Sequence, residues 1–229
     1  MRARLLALSV TSLVAVAACF SRLSGGHRGP DLDVAVPDSF IVHFETSRGG
    51  FDAMARRAWA PDGVDRLYTS VRDHYYDGAR FYRVVKDFVA QFGMAADPRV
   101  TAAWRIRAIA DEPVHHSNTR GTISYARGGA GTRSVQLYIN LKDNARLDTL
   151  NGFGFPPIAE VVSGMATVDS LYSGYGEAPS ARNPNGKGPP QDSIARQGNA
   201  YLERGFPKMD YIKQARVTRE WRSTTSTSR

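Results

Sequence analysis

Cysteine is all but missing: Cys19 is the only one in 229 residues. No disulfide can form within the chain, so the fold must be held by burial. Metal-binding patterns are missing as well. There is no H-E-x-x-H, no C-x-x-C and no EF-hand spacing, the arrangements that bring donors to one ion. His115 and His116 are adjacent, so in an extended segment they face opposite ways. No metal and no cofactor are expected. Neither a G-x-S-x-G elbow nor a Walker A loop occurs; "ARGGAGTRS" is glycine-rich but lacks the Lys-Ser/Thr that would hold a phosphate. Hydrolase and nucleotide chemistry therefore have no obvious nucleophile or cradle. Acidic residues are outnumbered, 22 against 30 basic, for a formal charge of +8. The basic residues are scattered rather than gathered into the stripe that nucleic-acid binding requires, so no nucleic-acid partner is expected. A composition of 42% hydrophobic and 23% charged residues excludes a disordered chain, and the length suits one good-sized domain.

What is present begins with an address. Arg2 and Arg4 precede an apolar stretch, Leu5 to Val16, too short to span a bilayer as a helix. Residues 1–18 read as a bacterial secretory signal. Val16-Ala17-Ala18-Cys19 resembles a lipobox, which makes Cys19 the expected lipidation site and the membrane a partner through its acyl chains. The expected location is the cell envelope, as a periplasm-facing lipoprotein. The alternative is ordinary cleavage and a soluble periplasmic or secreted protein. Residues 19–37 read as a tether and 38–219 as the folded domain, a monomer by default. Residues 220–229, ending in "RSTTSTSR", read as a disordered tail with nothing to bury.

The body is mostly strand. "FIVHFET" alternates Phe40, Val42 and Phe44 against Ile41, His43 and Glu45, the two-residue period of a half-buried strand. Ser47 to Gly50 reads as a turn, with a second strand from Phe51. Val64, Leu67, Tyr68, Val71 and Tyr75 then mark one face of a helix that starts at Pro61 and stops at Asp77-Gly78. Strands are predicted at 81–85, 88–92, 121–126, 135–140 and 158–162, a short helix at 164–172, another at 192–202, and a closing strand in "MDYIKQARVT". Many short strands with few helices indicate a mainly β barrel or sandwich.

The stretch "RFYRVVKDFVAQFG", residues 80–93, sets an arginine and a glutamine among apolar residues, where an unpaired charge is costly. It resembles the cyclophilin signature F-x-R-V-[IV]-x-x-F-x-x-Q-x-G, met at Phe81, Arg83, Val84, Val85, Phe88, Gln91 and Gly93. "HHSNTRGTISYAR", "SVQLYINLKDNARLD" and "FGFPPIAEVVSGMATVDSL" resemble later segments of the same family in the same order, so the likeness runs from Phe40 to Val217. It implies a closed eight-stranded antiparallel barrel capped by two helices, with an extra helix before the last strand. It also implies peptidyl-prolyl cis/trans isomerase activity on proline-containing peptides and unfolded exported proteins. Arg83, Phe88 and Gln91 match the catalytic positions. Val89, Gln136, Tyr138, Leu147, Ala126, Arg127 and Phe155 match substrate-binding ones. Departures stand at Leu137 and Tyr138 in place of the usual Phe-Phe, at Arg146 where the family has an indole, at Arg127 in a small polar position, and at Phe155 at the rim. They imply altered peptide preference and weak binding of cyclosporin-like drugs. They also keep open a second reading, a weakly catalytic or non-catalytic peptide-binding chaperone on the same barrel.

Overall fold

The computed structural model describes residues 29–31 and 33–223; the expected signal segment, Cys19 and the Ser/Thr end lie outside them. Strand β1 (Ser39–Thr46) buries every second residue, and β2 (Gly49–Arg56) returns beside it after a two-residue turn. Phe40, Val42 and Phe44 face Ala55, Ala53 and Phe51 across the pair. The Phe44 and Phe51 rings stack at 4.8 Å. The interior is filled by such aromatics, with Tyr76, Phe81, Phe92 and Tyr125 also buried in it.

Helix α1 (Pro61–Arg72) starts with proline in its first turn and buries Val64, Leu67, Tyr68 and Val71, the stripe that the sequence spacing predicts. It ends at Arg72, five residues short of the predicted stop, and Tyr75 is buried from the turns that follow. Strands β3 (Arg83–Val85) and β4 (Val89–Phe92) form a hairpin through Lys86 and Asp87. Gly93 ends it with φ +107, and a Cβ there would lie 2.3 Å from the Val135 carbonyl oxygen, so only glycine fits. Helix α2 (Pro98–Arg105) has no counterpart in the sequence reading. Strands β5 (Thr122–Tyr125), β6 (Leu137–Asn140) and β7 (Pro157–Ser163), then α3 (Met165–Asp169), α4 (Gln191–Gly205) and β8 (Ile212–Trp221), complete the order.

The eight strands form one antiparallel sheet in the order β3-β4-β6-β5-β7-β2-β1-β8. Its two ends meet. The Phe81 amide donates to the Asp210 carbonyl at 2.9 Å, and Gly78 and Ile212 exchange bonds with the opposite segment. The sheet is thereby a barrel, which removes the exposed edges an open sheet would present.

Four differences from the sequence reading have physical causes. The strands β3 to β6 are trimmed by one or two residues where the chain turns, β7 is one residue longer at each end than expected, and β8 starts and ends three residues later. Helix α2 was missed although Asp97 caps it, its side chain accepting from the Arg99 amide at 2.8 Å, and Pro98 opens it. Glu220 and Trp221, expected in the tail, instead pair with Phe40 and Ser39 in β8. The last part of the expected tether is not free: Val34 and Val36 pack on the core and Arg222 donates to the Ala35 carbonyl.

Candidate active site

Four strands place one residue each in a row across the outer wall: Arg83 on β3 opposes Gln91 on β4, Gln91 opposes Tyr138 on β6, and Tyr138 opposes Ser124 on β5. Side chains of neighbouring residues alternate across a strand. The row therefore carries Val89, Gln136 and Ala126 to the outside with it. Ala90, Phe92, Leu137, Ile139, Ile123 and Tyr125 go to the barrel core. Leu137, noted above as a departure, is thus a core residue and forms no part of the outer face.

The outer face is covered in turn. Two 3-10 turns, Ala145–Asp148 and Leu150–Gly152, fold over it. Val89, Tyr138, Leu147 and Phe155 make a second apolar cluster, with Phe88 and Ala126 at its margin. Phe155 meets Tyr138 edge-on at 6.1 Å. Beside this cluster opens a groove of about 540 Å³ whose lining includes all ten substrate-facing residues named from the sequence. Its other half is polar, with Gln91, Gln136 and Gln191, Thr132 and Ser134, and the arginines Arg83, Arg105 and Arg127.

Arg83 is the pivot. Its side chain is 24% exposed, so the charge is not stranded in the core. Nη1 donates to Gln91 Oε1 at 3.1 Å, Nη2 donates to Glu177 Oε1, and the guanidinium lies 5.3 Å from the Phe88 ring centre. Neither Asp87 nor Glu160 is its partner; Glu160 pairs with Arg56. The Gln91 amide is oriented by a chain of bonds: Gln91 Nε2 donates to Gln136 Oε1 at 2.9 Å, and Tyr82 Oη donates to the same oxygen at 3.0 Å. Burial pushes the Tyr82 phenol far above its ordinary value, keeping it a donor.

The Tyr138 hydroxyl has the partner that its burial requires. It donates to Asn118 Oδ1 at 2.9 Å, an oxygen that also accepts from Ser124 Oγ at 3.1 Å and Asn140 Nδ2 at 3.2 Å. Asn118 Nδ2 donates to Asp148 Oδ1 and to the Phe155 carbonyl. Burial alone would raise the Asp148 carboxyl, but the bonds from Ser117 and Asn118 outweigh it and hold the group below the usual range. Arg146 sets its guanidinium 4.8 Å over the Phe88 ring, a cation–π contact at the position where an indole is expected.

Arg127 differs from its expected part. Its side chain is fully covered, paired with Asp111 at 2.6 Å and stacked 3.9 Å from the Phe153 ring. It fastens the groove wall, and desolvation lowers its pKa. Several residues at the site were missed, among them Thr132, Ser134 and Gln191 in the lining and three that shape its charge and bonding. Asn118 sits 20 residues from Tyr138, and Arg105 and Glu177 come from segments without a motif.

A barrel with a groove on its outer wall, apolar at one end and lined by amides and a partly exposed arginine at the other, has the form of a site for a short extended segment with an apolar side chain. Residues 41–192 match the model of the cyclophilin type peptidyl-prolyl cis-trans isomerase family, and the chain belongs to that family. It is 32% identical over 136 residues to peptidyl-prolyl cis-trans isomerase cyp18 of Streptomyces antibioticus, covering 57% of this chain and 81% of that protein. It is 31% identical over 137 residues to peptidyl-prolyl cis-trans isomerase B of Escherichia coli K12, covering 57% and 83%. In fold it resembles a cyclophilin type isomerase of Cryptosporidium parvum, with TM-score 0.56 and 17% identity over 80% of this chain and 99% of that one. The same protein, crystallised in the presence of the dipeptide Ala-Pro, gives TM-score 0.55. The matched family segment stops at 192, so most of α4 and all of β8 lie beyond it.

Proposed function

We propose that this isomerase assists the folding of exported proteins, with Arg83 stabilising the twisted X–Pro amide. Rotation about that bond faces a barrier of about 18–20 kcal/mol because the amide is resonance-stabilised. No bond has to break; the protein only has to hold the twisted form better than either planar form. In the twisted form the proline nitrogen regains a lone pair, and a guanidinium that never loses its proton can donate to it. Two of the five N–H bonds of Arg83 are taken by Gln91 and Glu177, which leaves three for a substrate. The proline ring fits against Phe88, Val89, Tyr138, Leu147 and Phe155, and Gln91 holds both Arg83 and the substrate backbone.

The observation that carries this reading is the placement of a half-exposed Arg83 at the boundary between the apolar pocket and the polar half of the groove. Its export setting rests on the signal-like residues 1–18. A lipid anchor at Cys19 is proposed from the lipobox-like sequence, and palmitate labelling that disappears in Cys19→Ser is its test. For the mechanism, isomerisation of a short X–Pro peptide is compared between wild type and Arg83→Ala. A loss of about 10²-fold or more is expected, the scale of removing one preorganised donor. Equal rates would exclude Arg83. A wild-type chain without acceleration would leave a peptide-binding chaperone.

A further inference from the structure

Glu177 reaches the pivot of the groove from 94 residues away, and its carboxylate accepts from Arg83 Nη2. We infer that Glu177 is a positioning residue, which fixes the plane and rotamer of Arg83 before the peptide arrives. The inference rests on the reading of Arg83 as the group that acts on the proline amide.

The arm that carries Glu177 is built to hold it still. Tyr175 packs into the cluster formed by Tyr82, Met94, Ile194, Leu202 and Met209, edge-on to Tyr172 and Phe206 at 5.1 Å each. On the other side the Gly188 amide donates to the Glu177 carbonyl at 2.8 Å. The returning chain lies so close that a Cβ on Gly188 would come within 2.8 Å of the Glu177 carbonyl carbon. Contact this tight against backbone forces a shift. The carboxylate is thus presented by a braced loop.

Arg83 needs such bracing. Its side chain has four torsions, and half-exposed it would sample many rotamers. Gln91 holds Nη1, Glu177 holds Nη2 and Phe88 lies against the face. Three contacts define the plane of a rigid fork, and the ordering is complete before substrate binds. With Glu177 at 40% and Arg83 at 24% side-chain exposure, the pair adds little to folding stability. Its removal should therefore act on turnover and spare the fold.

The test measures kcat and KM for exchange of a short X–Pro peptide by NMR, which needs no coupling protease, in wild type, Arg83→Ala, Glu177→Ala, Glu177→Gln and Gly188→Ala. Glu177→Ala is expected to lower kcat about five- to tenfold with KM within twofold of wild type. Glu177→Gln, which keeps an acceptor oxygen, should retain at least half of the wild-type kcat. Gly188→Ala, which displaces the arm without touching the carboxylate, should reproduce the Glu177→Ala loss. A Glu177→Ala protein with wild-type kcat beside an inactive Arg83→Ala would overturn the positioning role and leave Arg83 in place. So would a faster Glu177→Ala, which would make the carboxylate a competitor for Arg83, or a Glu177→Gln as slow as Glu177→Ala. Wild-type rates in Arg83→Ala would overturn both readings together.

Discussion

Tyr138 and Asn118 show how one substitution in a pocket is accommodated. The phenol is buried, and burial pushes its pKa well above the ordinary value, so it stays protonated and donates. Its acceptor, Asn118 Oδ1, serves three buried donors at once. The two ends of this contact should therefore respond unequally to mutation. Tyr138→Phe removes one donor and leaves the acceptor satisfied by Ser124 and Asn140, a loss of about 1 kcal/mol or less. Asn118→Ala strips the acceptor from three buried donors and a partner from Asp148, and should cost about 3 kcal/mol or more. Denaturant midpoints at constant m measure both; comparable losses would show that the hub is not shared as drawn. The sequence marked Tyr138 as a departure from the family pattern, and a hydroxyl buried there calls for a partner. It could not reveal Asn118, since only the β5–β6 pairing brings the two together.

The hairpin of β3 and β4 was readable because its information is local. Alternation puts Arg83 and Gln91 on one face, and the positive φ at Gly93 meets a packing limit as well. Gly93→Ala should lose at least about 2 kcal/mol, since it combines an unfavourable backbone conformation with a 2.3 Å approach to the Val135 carbonyl; thermal unfolding checks this. Helix α2 was not readable in the same way. Its eight residues bury only Thr101 and Trp104, too few to give a period, so the Asp97-Pro98 start was the only cue. Yet α2 gives the groove Arg105. Of the three arginines at that groove, Arg83 is paired with Glu177 and Arg127 with Asp111, while Arg105 is exposed and has no ion pair among the described residues. X–Pro peptides with a nearby Glu should be turned over about three- to tenfold better than their Lys counterparts, the range of a partly exposed charge pair of about 1 kcal/mol. The preference should shrink as salt is raised to about 1 M and reverse in Arg105→Glu. A preference that ignores both would assign the selectivity elsewhere.

The barrel as a whole could be anticipated from strand number, alternation and the family likeness, but how its interior is filled could not. Tyr75, Tyr76, Tyr82 and Tyr125 are buried, as is Tyr138 beneath the groove, and burial raises the pKa of all five phenols above their ordinary value near 10. This makes the folded state sensitive to alkali in a definite direction. A raised native pKa means that the contribution to stability is intact below about pH 10, the unfolded value. Above that pH the unfolded chain releases protons that the native chain retains, so stability falls with a slope of about 1.4 kcal/mol per pH unit for each such tyrosine. Five together give about 7 kcal/mol per unit, comparable with the whole stability of about 5–15 kcal/mol expected of a domain. Unfolding should therefore come within one to two units above pH 10, as a cooperative step. Phenolate absorbance and circular dichroism followed together should show these five phenols ionising as the barrel opens, in the same step as the loss of the folded signal. Ionisation of these five near pH 10 with the fold retained would show that they are not shielded by the barrel.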